Sequence, residues 1–510
     1  MAENDGGAAL ARGGEVPGAT RSGIPPLDAG RTAAVLAVGA FAAAVIPDNV
    51  PGIGVAATGV LAGSVVVAGR VGGPPRDAWS VTALMVGAAA AVLPAVSDAG
   101  WVVAPALLVG AAIAALALAG GRTWSGLLRP LLRCLPDSAR AGVAVAGGAV
   151  AAVPSGSRAR PALRATLLTV GVVGVFGALF ASADQLFGRL VDRFLIPDLD
   201  LDLWPVRAFV LVVVAVAVTT MLRLARRDDD DRARRPATVQ LTGVEWQVPL
   251  VALLVLFVAF LAVQFGALFG GHDWVEAAAG LTYAEHARGG FAQLVVVALL
   301  TLLVIAASTR HAVARSPGEQ RLLRGLLAGL CGLTLVVLAS ALYRLWLYQD
   351  AFGFTRARFG AQAVIWWLAV VFALVVVAGA RRRSDWLPRA VVLVTAAGVV
   401  GVGFLRPDAI VAQANLDRFA SEGQVDLAYL DTLSADAVPV LTELPAALQG
   451  CVLEGQAAWV LDDEDTAGWG AGNLSRARAA TLLTELRARG MDCDRAAADR
   501  LDTDPSSAVR

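Results

Sequence analysis

Apolar segments alternate with short polar turns along residues 32–405 of the chain. Many of these segments approach the roughly 17–25 residues that an α-helix needs to cross the hydrocarbon core of a bilayer. Eleven segments follow the pattern: 32–46, 53–69, 78–96, 101–120, 165–183, 205–224, 249–271, 290–308, 325–342, 361–380 and 387–405. The pattern predicts an all-α, polytopic membrane protein with about eleven transmembrane helices.

The pattern changes after residue 405, because no later apolar run is long enough to span a bilayer. Amphipathic helical patterning appears at 410–419, 425–433, 435–444, 474–489 and 495–501. Asn473 or Ser475 is the predicted N-cap of the fourth of these helices. The segment carries 9 arginines against 18 acidic residues, which leaves a net charge of −9. We therefore expect three regions: a disordered cytoplasmic tail (1–31), a transmembrane helical domain (32–405) and a small, soluble, extracytoplasmic helical domain (406–510).

Arginine is distributed unequally between alternate turns of the predicted helices. With the N-terminus inside the cell, the inner segments contain 26 arginines and the outer loops contain seven. Cytoplasmic loops of membrane proteins carry an excess of Lys and Arg. The distribution predicts a plasma (inner) membrane protein with a cytoplasmic N-terminus and an extracytoplasmic C-terminus. The apolar run 142–153 is too short to span, and a crossing there would reverse the side of every later loop.

Composition supports the membrane class and argues against one class of partner. The chain is 57% hydrophobic and 16% charged, whereas soluble domains are about 25% charged. The formal net charge is zero, and nucleic-acid-binding proteins typically carry a basic patch. We therefore predict no nucleic-acid partner.

Two cysteines, Cys451 and Cys493, lie in the predicted extracytoplasmic domain. Disulfides form and persist in oxidising compartments, so this placement predicts a bridge between them. Two buried free thiols are the alternative.

The segment 343–358, YRLWLYQDAFGFTRAR, joins two apolar runs and contains three of the seven outer arginines. If the preceding helix continues, Tyr343 lies on one face, and Arg344 and Tyr348 lie one turn apart on another. Arg356 and Arg358 follow a helix-breaking glycine. One interpretation is an aromatic anchor whose arginines bind lipid phosphates or helix-end carbonyls. The other is an anion or headgroup site that uses bidentate arginine contacts.

Three other polar loops are weaker candidates for chemistry. The loop 271–290 contains two histidines and two glutamates, which are zinc ligand types, but their spacing matches no zinc signature. The loop 226–235, RRDDDDRARR, flanks its four aspartates with arginines that would compete for the carboxylates. The loop 182–203, which contains Asp184, resembles the acidic outer loops of lipid-linked sugar transferases only in layout. We predict no metal and no cofactor.

Five stretches carry a family resemblance: FASADQLF at 180–187, GLTYAEHARGGF at 280–291, YRLWLYQDAFGFTRAR at 343–358, RPDAIVAQANLDR at 406–418 and DLAYLDTLSADAVP at 426–439. They resemble a bacterial multi-pass membrane family of unknown function, domain of unknown function 4173, which is related to 4153. The resemblance covers roughly residues 165–478. It implies a polytopic fold with a C-terminal segment, and it implies no activity. The family usually has tyrosine at the position of His286, a departure that weakens a metal site in the loop 271–290.

All five stretches fall on the predicted outer face or directly after the last span. We therefore expect an outer-face polar cluster near the acidic C-terminal domain. Its members are Asp184, Tyr283, Glu285, Arg288, Tyr343, Arg344, Tyr348, Arg356 and Arg358. The arginines of this cluster are predicted to seat the C-terminal domain on the outer loops.

The predicted role is a non-enzymatic envelope scaffold, sensor or partner-binding protein. The alternative is a membrane-embedded transferase or carrier that acts on an anionic lipid or lipid-linked substrate at the outer face. The expected partners are the bilayer and either anionic lipid headgroups or another envelope protein. A deep cavity that holds Asp184 or Glu285 beside Arg344 or Arg356 would favour the alternative. A packed surface with mutually paired charges would favour the scaffold.

Overall fold

The computed structural model describes residues 29–47, 49–69, 77–119, 124, 204–224, 241–242, 244–269, 291–381, 384–466, 468–491, 493 and 495. Ten predominantly apolar helices, which we call the membrane-type helices, come first in this part of the chain. They are α1 Ala29–Val45, α2 Ile53–Ala68, α3 Ala78–Val92, α4 Gly100–Ala119, α5 Trp204–Leu224, α6 Val244–Phe269, α7 Phe291–His311, α8 Pro317–Phe352, α9 Arg356–Arg381 and α10 Leu387–Phe404. A 3₁₀ turn, Leu93–Ala95, extends α3.

These ten helices coincide with ten of the eleven predicted segments, and the eleventh, 165–183, lies outside the described residues. Within the described part, five helices are long and apolar enough to cross a membrane: α3 with its 3₁₀ extension, α4, α8, α9 and α10. Several of them present large apolar side chains outward, such as Leu108, which is 74% exposed. Exposed apolar surface of this extent is typical of helices that contact lipid. The helical class and the membrane-like character of the predicted segments are confirmed.

Helix α8 is longer than a bilayer crossing requires. Ser316 and Glu319 form a capping box at its start, where each side chain accepts a hydrogen bond from the other residue's backbone. The helix then runs 36 residues to Phe352, about 54 Å at 1.5 Å per residue. It ends at Gly353, whose φ of 75° favours glycine. The aromatic half of segment 343–358 therefore continues α8, which extends ten residues beyond the end of the predicted segment 325–342.

Two short strands fix the relative direction of α6, α7 and α8. β1 (Leu241–Thr242) precedes α6, β2 (Ala312–Val313) follows α7, and the two strands pair in parallel. The start of α6 and the end of α7 are therefore neighbours. Because α8 begins four residues after β2, its start lies at the same face.

The C-terminal unit, residues 407–491, is built from five further helices and two 3₁₀ turns. They are α11 Pro407–Glu422, α12 Leu427–Asp431, the turn Ala435–Ala437, α13 Val438–Leu441, α14 Ala446–Thr466, the turn Trp469–Ala471 and α15 Leu474–Arg489. Asn473 caps α15, since its side chain accepts from the backbone N–H groups of Ser475 and Arg476. Helix α14 is absent from the sequence prediction, and the predicted helix 495–501 falls almost entirely outside the described residues.

Side chains from all five helices of this unit form one apolar core. Val411, Leu430, Val438, Leu453 and Leu483 are each completely buried within it. The structure also places a disulfide between Cys451 of α14 and Cys493. It closes a loop whose ends are 42 residues apart, and a bridge of that span stabilises a domain by roughly 3–4 kcal/mol in the loop-entropy picture.

The C-terminal unit rests on one face of the membrane-type helices, which we call the docking face. Four features form this face: the α1–α2 turn (46–52), the α3–α4 turn (93–99), the α8–α9 turn (353–355) and the end of α10. The Ile53 backbone N–H donates to the Gly472 carbonyl at 2.8 Å, and the Phe354 backbone N–H donates to Asn415 Oδ1 at 3.3 Å. Turns that are far apart in sequence thus meet one small helical unit.

Candidate functional site

The chain changes direction sharply where the membrane-type helices end. Helix α10 stops at Phe404, and α11 starts three residues later at Pro407. Between them Arg406 adopts a left-handed conformation with φ of 51°, the sole non-glycine residue of the described part that does so. Pro407 suits the first helical position because its fixed φ matches a helix and its nitrogen has no proton to leave unpaired. This bend turns the first residues of α11 back onto the docking face.

Asp408, the second residue of α11, is completely buried against that face. Its Oδ1 accepts from Arg356 Nε at 2.8 Å and from Trp101 Nε1 at 3.1 Å. Its Oδ2 accepts from Arg356 Nη2 at 2.5 Å and from the Ser434 backbone N–H at 2.9 Å. The arginine contact is bidentate, the strongest form of arginine–carboxylate pairing. We call Asp408 and these partners the Asp408 site.

Two opposing effects act on the Asp408 carboxyl group. Burial favours its neutral form, whereas the hydrogen bonds from Arg356 and Ser434 and the positive charge of Arg356 favour the carboxylate. The favourable contacts prevail and hold the pKa of Asp408 below its ordinary value. The group is therefore a carboxylate at neutral pH. It is fully engaged in holding α11 against α9 and α4.

A second buried carboxylate, Asp436, lies in the 3₁₀ turn of the C-terminal unit and is 3% exposed. Its Oδ2 accepts from Ser97 Oγ at 2.8 Å and from the backbone N–H groups of Asp98 and Ala99 at 3.0 and 3.1 Å. Its Oδ1 accepts a short hydrogen bond from Ser475 Oγ. We call Asp436 and these partners the Asp436 site. The Ser434 hydroxyl also donates to Oδ2, at 3.5 Å. All five of these partners are uncharged donors, and three of them come from the α3–α4 turn.

Asp98 adds an ion pair beside the Asp436 site. Its Oδ1 accepts from Arg476 Nη1 at 2.6 Å, and its Oδ2 accepts from the Ala435 backbone N–H at 3.2 Å. Burial, which raises the pKa of Asp98, outweighs the charge and hydrogen bond of Arg476, and the pKa lies above its ordinary value. Arg476 also donates to the Pro51 carbonyl at 3.0 Å, so one guanidinium joins α15 to two turns of the docking face.

The amide of Asn473 completes this contact. Its Nδ2 donates to the carbonyls of Pro94 and Ser97 at 2.8 and 3.0 Å. The same side chain caps α15 through its oxygen. One buried asparagine therefore fixes both the start of α15 and the path of the α3–α4 turn.

The predicted outer-face cluster is only partly present in this arrangement. Arg356 contacts the C-terminal unit through Asp408, and its backbone N–H donates to Tyr429 Oη at 2.7 Å. Arg358 instead turns back onto the end of α8, where it donates to the Phe352 carbonyl at 2.7 Å and to the Gly353 carbonyl. Its guanidinium also stacks over the Tyr348 ring, 4.4 Å from the centroid. Arg358 thus serves the helix end, as the anchor interpretation expects, and the described contacts do not place it on the C-terminal unit.

The remaining members of the predicted cluster lie elsewhere. Tyr343 stacks on Trp346 at 6.2 Å along the exposed side of α8. Arg344 is partly buried on the same helix. Asp184, Tyr283, Glu285 and Arg288 lie outside the described residues, as do the charged loop 226–235 and the four zinc-type residues of the loop 271–290.

Sequence reasoning missed most of the residues that carry the docking contacts. Asp408, Tyr429 and Asp436 all lie in the motif stretches 406–418 and 426–439, so the family resemblance signalled them without assigning them a role. Ser97, Asp98 and Trp101 carried no such signal, because a short turn with one aspartate is an ordinary surface feature. Within the described part of the chain, no group of three or more His, Cys, Asp or Glu residues is arranged to hold a metal ion.

The family comparison agrees with the position of these residues. Residues 84–444 match the model of a family described as a domain of unknown function, DUF4153. The match begins within α3 and ends just after α13, so it includes both Asp408 and Asp436 with the turns that hold them. No curated protein and no solved structure matches the chain.

Proposed function

Because the chain belongs to the DUF4153 family, which has no assigned activity, we propose its function from its geometry: a multi-pass membrane scaffold that holds a helical unit rigidly at one face of the bilayer. The described contacts of Asp408, Asp436 and Asp98 support this proposal. All three carboxylates are buried and bonded to donors, and together they link the C-terminal unit to the membrane-type helices. Buried carboxylates whose oxygens already accept hydrogen bonds within the protein suit a fixed attachment rather than a reacting centre.

Eleven crossings account for the arrangement of the described helices. The turns α1–α2 and α3–α4 and the end of α8 all lie on the docking face. Helix α4 therefore starts at this face and α8 ends at it, so the number of crossings between the end of α4 and the start of α8 is even. The described part supplies three helices there, α5, α6 and α7. The segment 165–183, outside the described residues, would supply the fourth. An additional crossing at 142–153 would make the number odd, which is incompatible with a shared docking face.

The docking face is the extracytoplasmic one in this proposal. The opposite end of α8 is basic, with Arg315, Arg321 and Arg324 at or near its start, whereas the α1–α2 and α3–α4 turns contain no arginine. Cytoplasmic ends of membrane helices are enriched in positive charge. A cytoplasmic N-terminus and a soluble extracytoplasmic domain over 406–510 follow from this orientation, and we place the protein in the plasma membrane. The role of the presented unit is to bind another envelope protein.

Limited trypsin digestion of the full chain in lipid nanodiscs tests the rigid attachment. We expect the wild-type chain to resist cleavage after Arg418, because this residue lies in α11, the first helix of the docked C-terminal unit. Replacing Arg356 by Gln should speed cleavage there, since it leaves the buried Asp408 without its cation. Arg489→Gln is the matched control, because its ion pair with Glu485 is exposed and contributes little.

Two results would contradict the proposal. Cleavage of the wild-type chain as fast as the Arg356→Gln variant would show that the unit is not fixed to the docking face. Reporter fusions at residue 230 and after residue 510 should report opposite sides of the membrane. If both fusions reported the same side, the eleven-span topology would be contradicted.

A further inference from the structure

A deep groove lies directly beneath the C-terminal unit. It has a volume of about 1210 Å³ and is enclosed by α8, α9, α10 and α11, with the start of α4 as one wall. Pockets for small molecules usually measure about 300–1,000 Å³. The groove is therefore large enough for a ligand bigger than most metabolites, and it lies beside the Asp408 site.

The length of the groove matches one leaflet of a bilayer. Along α9 its wall extends from Phe359 to Val370, and along α10 it extends from Val394 to Leu405. Each stretch covers 11 residue steps, about 17 Å at 1.5 Å per residue. Half of the roughly 30 Å hydrocarbon core is about 15 Å. A lipid chain that enters from the docking face would fit this depth.

The lower part of the groove is apolar and open to the side. Val370, Val394 and Val399 line it together with Trp366, which is 56% exposed. Two polar side chains in the wall pair with each other, since Trp367 Nε1 donates to Thr395 Oγ1 at 2.9 Å. A Cβ added at Gly398 would meet no atom within 4 Å, so the absence of a side chain keeps this part of the groove wide.

The rim of the groove at the docking face is polar and carries both signs of charge. Three carboxylates, Asp350, Asp417 and Glu422, and one guanidinium, Arg418, belong to its described lining. Arg418 Nε donates to Glu422 at 2.9 Å, which fixes the cation beside the α8–α9 turn. Gln349 Nε2 also belongs to this lining, is buried, and has no hydrogen-bond partner among the described residues.

We propose that this groove binds one aminophospholipid, a lipid with a phosphate and a primary ammonium, such as phosphatidylethanolamine. The phosphate would meet Arg418 and the Gln349 amide, and the ammonium would meet the surplus carboxylates Asp350 and Asp417. The acyl chains would lie along α9 and α10. An anionic lipid would offer no cation to these carboxylates and would be repelled by them. The site goes beyond the scaffold role, and it does not depend on which face of the membrane is outside.

The binding test uses the full chain purified in mild detergent and native mass spectrometry with two added lipids. Equimolar phosphatidylethanolamine and phosphatidylglycerol of identical chains compete for the site. We expect the ethanolamine lipid to be retained about tenfold over the glycerol lipid, a ratio that corresponds to about 1.4 kcal/mol. The Asp350→Asn/Asp417→Asn variant should lose this preference while it still binds lipid, because its rim then lacks the surplus negative charge.

A matched pair of glycine variants locates the site. Gly398→Leu should fill the groove and reduce lipid retention about tenfold or more. Gly401→Leu is the control, since a Cβ there also meets open space but Gly401 does not line the groove. Trypsin resistance at Arg418 is measured on the same samples, so a failure of the docked unit is distinguished from a failure of the lipid site.

Three outcomes would overturn the proposal. One is a wild-type preference for phosphatidylglycerol. Another is equal lipid retention by Gly398→Leu and wild type. The third is a wild-type chain that retains no lipid, together with a loss of stability in Gly398→Leu but not in Gly401→Leu. This result would mean that another segment of the same chain fills the groove and is displaced by the added leucine.

Discussion

The Asp408 site and the Asp436 site attach the same C-terminal unit to the same face, but by different chemistry. Both carboxylates are almost fully buried, at 0% and 3% exposed. Asp408 is neutralised by a bidentate arginine, whereas Asp436 is surrounded by hydroxyl and backbone N–H donors. A buried carboxylate needs compensation in either case. The comparison teaches that one arginine can supply most of this compensation from a single side chain, whereas neutral donors must be assembled from several groups, including the backbone of a turn.

The backbone of the α3–α4 turn provides that placement. The consecutive N–H groups of Asp98 and Ala99 both point at Asp436 Oδ2. Successive backbone N–H groups in a turn form an anion-binding concavity. The Asp436 site is therefore a property of the turn conformation. The charged contact of the Asp408 site is made by two side chains, and either of them can be substituted.

The largest loss of stability of the docked C-terminal unit is expected from Asp408→Ala. It leaves Arg356 without a counter-charge and the Trp101 indole without an acceptor, a loss of roughly 3–5 kcal/mol for breaking a buried ion pair. The lower end of that range is expected, because the Arg356 side chain is 30% exposed and partly hydrated. The free energy of opening of the C-terminal unit, obtained from trypsin cleavage rates in nanodiscs, measures the effect.

A second substitution sharpens this prediction. In the Asp408→Ala background, Arg356→Met removes the remaining charge and should recover part of the lost stability, since apolar replacement of both partners is often tolerated. A double variant less stable than Asp408→Ala alone would contradict the view of this site as a side-chain pair.

Asp436→Ala should destabilise the unit somewhat less, by roughly 2–4 kcal/mol, because two buried backbone N–H groups lose their acceptor. Ser475 Oγ keeps another acceptor, the Val96 carbonyl at 2.8 Å, which limits the cost. The same cleavage assay measures it. In contrast to the Asp408 site, substitutions of Ser97 or Ser475 in this background should give no rescue, because the unpaired donors belong to the backbone. Rescue by Ser97→Ala would show that the turn conformation is not the determinant.

The pH dependence of stability should differ in sign between Asp408 and Asp98. The pKa of Asp98 is raised by burial, so its folded form binds a proton more tightly than the unfolded chain. The stability of the wild type relative to Asp98→Asn should therefore increase as the pH falls from the raised pKa of Asp98 toward the ordinary value of 3.8.

Asp408 should show the opposite dependence, since its folded pKa is lowered. Its contribution is fully present above the ordinary value of 3.8 and is lost only as the pH falls through the lower folded pKa. Cleavage rates measured with an acid-active protease as a function of pH, for wild type, Asp98→Asn and Asp408→Ala, check both signs. If the stability of both variants relative to wild type changed with pH in the same direction, the opposite pKa shifts of Asp98 and Asp408 would be refuted.

The smallest losses of stability are expected when a single neutral hydrogen-bond donor is removed from either site. Trp101→Phe removes one hydrogen bond to Asp408, and Ser97→Ala removes one to Asp436. Each should cost about 1 kcal/mol, the usual net contribution of a hydrogen bond. A much larger effect for Ser97→Ala, measured in the same assay, would indicate that its hydroxyl also organises the turn, since Ser97 Oγ accepts from the Ala99 N–H at 3.4 Å.

The sequence alone predicted the helices well where local signals are strong. Hydrophobic runs located ten membrane-type helices, and the predicted bounds of α15 coincide with the observed ones, because Asn473 is an effective N-cap. Helix α14 was missed, since two glycines, Gly450 and Gly455, and several polar residues interrupt its apolar period. Its formation depends on packing of Val452 and Leu453 in the core of the C-terminal unit.

The amino-acid sequence by itself determined the helical, membrane-like class of the chain. This property follows from local apolar periodicity, which can be read along the chain. Only the tertiary structure decided which groups meet. Asp408 is 52 residues from Arg356, and Asp436 is 339 residues from Ser97. A hydrogen bond depends on distance and direction in space, and these are fixed by how the turns of separate helices converge on one face.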